Sequence, residues 1–242
     1  MGLVTILAAT AAPGRAQAPL KLVGSTTVAG ALDGKQAELE AKLGREIEFI
    51  GTSSALGLEA LAKGEADVGM ISSPLNEIAA AVNAKNAGLV DLQAYRVAPI
   101  GHAKLRFIVN PRNSVRRVTA AQLGDLLAGK IKSWSEVGGM NGPVQVVAIG
   151  RPGVELRDTV MHGANFPATT RIVISADQIA SVVAATPNAI GVITAAHKRG
   201  PTSILQTDVD IELPLFLVTR GEPDPVQAKL IAAAQAALAN GT

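Results

Sequence analysis

Three short clusters of small hydroxyl residues fall within the first 75 positions: Gly24-Ser25-Thr26-Thr27, Gly51-Thr52-Ser53-Ser54 and Ser72-Ser73. Each follows a strand-like run and precedes a helix-like one. Ser and Thr hydroxyls are rotatable donors and acceptors. At a helix start they join unpaired backbone N–H groups and the positive end of the helix dipole. That combination suits a compact oxyanion such as phosphate or sulfate. One cluster alone is an ordinary N-cap; the recurrence of three is what points to a shared site, with Ser25, Thr26, Thr27, Ser53, Ser54, Ser72 and Ser73 as its donors. A fourth segment, Arg151-Pro152-Gly153-Val154-Glu155-Leu156-Arg157, also follows a strand-like run. Arg151 and Arg157 add positive charge there. Val154 and Leu156 offer no side-chain donor, and Glu155 places a carboxylate where an anion would sit. Glu155 is expected to occupy the helix end itself and to pair with Arg151 or Arg157, so that an incoming oxyanion meets like charge.

Other chemistries lack their residues. The chain has no cysteine, which removes disulfides, thiolate catalysis and cysteine-held metals. His102, His162 and His197 are widely spaced and form no H-x-x-x-H or H-E-x-x-H pattern, so they are read as surface or core residues rather than metal ligands. There is no G-x-S-x-G elbow, no Walker A loop and no acid–base–nucleophile set. No cofactor is expected, and no enzyme activity. Lys and Arg number 22 against 20 Asp and Glu, a net charge of +2 that gives no footprint for nucleic acid. Aromatic residues are 2% of the chain, too few for a site built on ring stacking.

The elements that must position these clusters alternate between short β runs and amphipathic helices, the pattern of an α/β fold. Lys21–Val23, Glu46–Ile50 and Asp67–Ile71 read as strands, each running into one hydroxyl cluster. Helices are expected over Gln36–Leu43, Ser54–Lys63 and Leu75–Lys85, with Gly44 and Gly64 as stops. Val97–Ile100 and Leu105–Val109 read as two extended segments. Thr119 with Gln122, and Ser175 with Gln178, have capping-box spacing before the helices that start at Ala120 and Ala176. Val144–Ile149, Arg171–Ile174, Ala189–Ile193 and Leu215–Thr219 are further strands, and Glu155–His162 a further helix. Asp224 before Pro225 opens a last helix that Asn240-Gly241 ends. Trp134 is expected to be structural, under a loop.

Leu3–Ala12 is an apolar run about half as long as a membrane-spanning helix, followed by Ala16-Gln17-Ala18. It reads as a signal peptide over residues 1–18, and hence as export to the periplasm. With no cysteine, a lipoprotein anchor is excluded.

The order of these pieces resembles the periplasmic phosphate-binding proteins of ABC importers and the type II periplasmic-binding-protein fold around them. Val23–Leu32 is similar to that family's first anion loop and helix. Gly51–Leu75 is similar to its second loop, helix, strand and third loop. Arg106–Pro111, the Gly-Lys-Ile-x-x-Trp segment within Ala120–Gly139, and Thr186–Ile193 resemble later parts. The resemblance implies two lobes joined by two crossover strands, each lobe a mixed sheet flanked by helices. Residues 19–105 with 212–242 would form lobe 1 and 106–211 lobe 2, with a hinge near Ile100–Phe107 and Glu212–Phe216. It implies a monomeric, non-catalytic receptor that closes on a small-molecule ligand, phosphate by default, and docks on an ABC permease. Two departures stand against phosphate. Ser73 stands where the family has an aspartate or arginine, and Val154-Glu155-Leu156 stand where it has Ser-Gly-Thr donors. The alternative is a diverged sensor or scaffold that binds a different small polar solute, or phosphate weakly. The effector domain of a transcription regulator shares the architecture, but no helix-turn-helix segment is present.

Overall fold

A computed structural model describes residues 17–150, 152–195, 197 and 200–239, with the backbone alone at Val154. The chain begins with β1 (Leu20–Ser25), α1 (Thr26–Asp33), α2 (Gln36–Leu43), β2 (Ile47–Thr52), α3 (Ser54–Lys63), β3 (Val68–Ile71) and α4 (Leu75–Asn83). A long strand, β4 (Tyr95–Val109), carries it into a second half: α5 (Ala120–Leu127), β5 (Gln145–Ala148), α6 (Val154–Thr159), β6 (Arg171–Ile172), α7 (Ala176–Ala185), β7 (Ala189–Thr194) and β8 (Ser203–Leu205). β9 (Glu212–Arg220) returns to the first half, and α8 (Pro225–Ala239) completes it. Sheet order is β2-β1-β3-β9-β4-β7-β5-β6, with β8 beside β4.

β1, β2 and β3 are parallel, so their carboxyl ends lie at one edge. Parallel strands need helices on both faces, and each half has them. In the first half, Leu22, Val28, Leu39 and Leu230 pack on one side, and Leu58, Leu61, Val82 and Tyr95 on the other. In the second, Leu123, Leu126, Trp134 and Val146 fill one core, while Ile108, Val147, Ile179 and Val183 fill another. The Trp134 ring is buried, and its Nε1–H donates to the Asn188 carbonyl at 2.9 Å, as expected of a structural tryptophan.

Local signals set the helix ends. Thr119 and Gln122 form a reciprocal capping box. The Asp224 carboxylate accepts from the Val226 and Gln227 N–H groups at the start of α8. Gly44 and Gly64 end α2 and α3 in the left-handed region. Asn240-Gly241, and residues 1–16 of the expected signal segment, lie outside the described residues. No described helix is long and apolar enough to cross a membrane.

Two expectations are corrected, and one strand is added. Val97–Ile100 and Leu105–Val109 belong to one strand, because β9 pairs with Tyr95–Lys104 and β7 takes over from Leu105; a bulge between Pro99 and Gly101 absorbs the bend. The helix expected to reach His162 ends at Thr159. The Val160 carbonyl there lies so close to α5 that any side chain at Gly124 would collide with it, and the chain turns away through His162 at φ 49°. β8 carries no pattern of its own in the sequence and exists through its pairing with Phe107–Val109.

Candidate functional site

The parallel register brings the three hydroxyl clusters side by side. Ser25 lies opposite Thr52 on β2, and Gly24 opposite Met70 on β3, one residue before Ile71 and two before Ser72. Two glycines let the layers approach. A Cβ on Gly24, which has φ +143°, would stand 2.1 Å from the Met70 carbonyl oxygen. A Cβ on Gly57 would stand 2.4 Å from the Gly24 Cα, so α3 rests directly on the β1 backbone. Any larger residue at either position would push the loops apart.

The hydroxyls then bond across loops. Ser25 Oγ donates to Ser72 Oγ at 2.9 Å, and Ser54 Oγ accepts from the Ser72 N–H at 3.2 Å. Ser53 caps α3 by accepting from the Leu56 N–H. Ser25 sits at the N-cap of α1 but makes no side-chain cap bond; its hydroxyl is turned to Ser72 as a donor instead. The first-turn amides of α1 therefore keep their donor capacity.

These loops line one side of a cleft of about 240 Å³. Ser25, Thr26 and Thr27 from the first loop, Ser53 and Ser54 from the second, and Ser72 and Ser73 from the third all face it. Thr52, quoted in the second cluster but not counted among its donors, lines it too. Leu105 and Leu213, on the two crossover strands, form the floor. The far wall comes from the second half: Ala148, Ile149 and Leu156 around β5 and α6, Phe166, Ile179 on α7, and Val192 and Ile193 on β7.

The fourth segment departs from its expected role. Arg151 lies outside the described residues. Arg157 is not among the residues that line the cleft; its guanidinium pairs with the neighbouring Asp158 at 2.9 Å rather than with Glu155. Glu155 also lies off the cleft lining. Its Oε2 is buried with no hydrogen-bond partner among the described residues. Burial pushes its carboxyl above the usual carboxylate range; its own backbone N–H opposes this, and the negative charges of Glu77 and Asp158 add to the rise. The neighbouring Pro152, Gly153 and Leu156 line the cleft instead.

His197 was read from the sequence as an ordinary surface or core residue, yet it lines the cleft. Its Nδ1 lies 2.7 Å from the Thr194 hydroxyl, and a Cβ on Gly30 of α1 would stand 2.8 Å from its ring. The ring thus spans from the second half to a bare helix surface of the first. Burial holds the imidazole below its ordinary pKa, with Asp177 pulling weakly the other way. No local signal marks this role, because the contact joins residues far apart in sequence.

The same architecture occurs in known proteins. A Clostridium perfringens chain described as a phosphate ABC transporter substrate-binding protein, with bound phosphate, is 23% identical at a TM-score of 0.75; the match covers 92% of this chain and 97% of that one. An ABC-type phosphate transport receptor from Vibrio cholerae is 19% identical, with a TM-score of 0.63 and coverage of 90% and 94%. The CcmR regulatory domain of Synechocystis, in complex with 2-PG, is 14% identical, with a TM-score of 0.61 and coverage of 93% and 99%. These likenesses uphold the two-lobed type II binding-protein fold expected from the sequence. The family model described as the PBP superfamily domain matches residues 9–241, and with its two halves joined through β4 and β9 beside the lined cleft, the chain belongs to that family.

Proposed function

We propose that the protein is a non-catalytic periplasmic receptor that captures a small oxyanion between its two lobes and delivers it to the permease of an ABC importer. Residues 19–105 with 212–242 act as one lobe and 106–211 as the other. The chain works as a monomer after export on residues 1–18. The observation that carries this reading is the convergence of three hydroxyl loops from separate chain segments on one cleft. Closure about β4 and β9 would shield the ligand from water. Phosphate is the ligand suggested by the two similar transport proteins.

A second reading has its own support: a diverged sensor or scaffold that takes another small polar solute, or phosphate only weakly. Among the described residues lining the cleft there is no Lys, Arg, Asp or Glu. An anion bound there relies on neutral donors and helix ends. The regulatory domain in complex with 2-PG is a member of the same fold with a different ligand.

A thermal-shift screen of phosphate, sulfate and small metabolites tests the receptor reading. A ligand present at a hundred times its Kd stabilises the native state by about 2.7 kcal/mol, which for a chain of this length raises Tm by roughly 5–10 °C. A screen in which nothing raises Tm would refute it. Titration with phosphate at low salt separates the two readings: sub-micromolar affinity selects the first, and weaker binding selects the second.

A further inference from the structure

The two sides of the cleft differ in chemistry. All of its lining from the three loops of the first half is Ser or Thr. The lining from the second half is apolar apart from Thr194 and His197, with Ile149, Leu156, Phe166, Ile179 and Val192 as its bulk. A five-atom oxyanion uses little of such a wall. At about 240 Å³ the cleft has more room than an inorganic phosphate fills. Pro152 and Phe166 also border a neighbouring hollow of mixed lining, with Asn165 and Thr170 beside Pro167, Ala168 and Ile172.

The hydroxyl side is biased towards giving protons. Ser53, Ser54 and Ser72 each have an oxygen already accepting within the protein, so each keeps its own O–H to donate. The uncapped first turn of α1 adds backbone donors. The group that satisfies this side is an acceptor such as a carboxylate, phosphonate or phosphate-ester oxygen.

We propose that the cleft binds an organic oxyanion: an acidic head on the hydroxyl loops of the first half and a short apolar body against Ile149, Leu156, Ile179 and Val192. This rests on the receptor reading above and names the class of solute for that same site. The hydroxyl loops fix the position of the head, and the apolar wall selects for the body, by removing its surface from water.

The test is isothermal titration of the full chain with inorganic phosphate, then methyl-, propyl- and butylphosphonate, and in parallel with acetate, butyrate and hexanoate. Affinity is expected to rise about fourfold for each added methylene in at least one series, with inorganic phosphate and acetate weakest. The two series separate a phosphonate-type head from a carboxylate. Ile149→Ser is the paired variant, because Ile149 is 38% exposed and its replacement leaves the core intact. It should reduce the gain from chain length, lowering affinity for butylphosphonate or hexanoate by a larger factor than for inorganic phosphate or acetate. Inorganic phosphate binding as tightly as butylphosphonate, or a flat series, would overturn the proposal and leave the receptor reading standing. An equal loss for every probe in Ile149→Ser would also overturn it. If no probe binds, the proposal falls, and the thermal-shift screen decides the receptor reading separately.

Discussion

The two halves of the molecule use the same device, a strand that ends in a loop and enters a helix, to opposite effect. In the first half β1, β2 and β3 are parallel neighbours, and their loops carry Ser and Thr at the cleft. In the second half β5 and β7 are likewise parallel, but the residues at the corresponding edge are Ala148, Ile149 and Ile193. Backbone geometry supplies an edge, and side-chain chemistry decides what the edge does. One half supplies a donor surface and the other a largely apolar wall. A ligand bound between them meets two different solvents at once.

The largest effect should come from the backbone packing beneath the donor surface. Gly24→Ala places a methyl group against the Met70 carbonyl at a positive φ. Strain and overpacking together cost about 3 kcal/mol or more, a fall in Tm of roughly 10 °C, read by thermal melting. A melt like the parent's would show that the loops tolerate separation. Next comes Ser72→Ala, which strands the proton of buried Ser25. A loss of about 1–2 kcal/mol in stability is expected, with at least a tenfold loss of affinity for the tightest ligand of the titrations. If affinity held, the donor surface would not be where the head binds.

Smaller effects probe the second half. Glu155 has its carboxyl pushed up by burial first, then by Glu77 and Asp158. For an acid raised in the native state, stability is full below the ordinary carboxylate value near 4.3 and is lost as pH rises through the native value. Glu155→Gln removes that loss. Its Tm should exceed the parent's at pH 7, and the gap should close towards pH 4; a pH-independent gap would assign the change to packing instead. His197 shifts the other way. Its imidazole is held below the ordinary value near 6.5 by burial. The unfolded chain therefore takes up a proton first, and stability falls as pH drops from about 6.5 towards the native value. His197→Gln should flatten that part of a Tm-versus-pH curve. The smallest effect is expected from Gly30→Ala. Ala is better than Gly in a helix by about 1 kcal/mol, but the new methyl meets the His197 ring. Stability should change little while ligand affinity falls about two- to threefold, because the ring then obstructs close approach of the halves. Equal affinity would show that the contact plays no part in closure.

What could be read from the sequence was local. The hydroxyl clusters, the Thr119–Gln122 and Asp224 caps and the glycine stops each depend on residues a few positions apart, so their pattern survives in one dimension. The missed features depend on distant partners. β4 reads as two pieces because it has different neighbours along its length. Arg157 takes Asp158, which adjoins it, instead of Glu155. The cleft role of His197 requires Gly30, and nothing near either residue announces the other. The apolar wall was legible as strands and helices but not as a wall, since only the fold shows which side of β7 and α7 faces the gap.

The distribution of aromatic residues has a practical consequence. The chain has one tryptophan and one tyrosine. Trp134 is enclosed in the core of the second half and Tyr95 in that of the first. Each half therefore carries a single such native chromophore, and neither lines the cleft. Emission from the indole and absorbance from the phenol would follow the melting of the two halves separately, with no label attached, and would reveal whether they unfold together or in sequence.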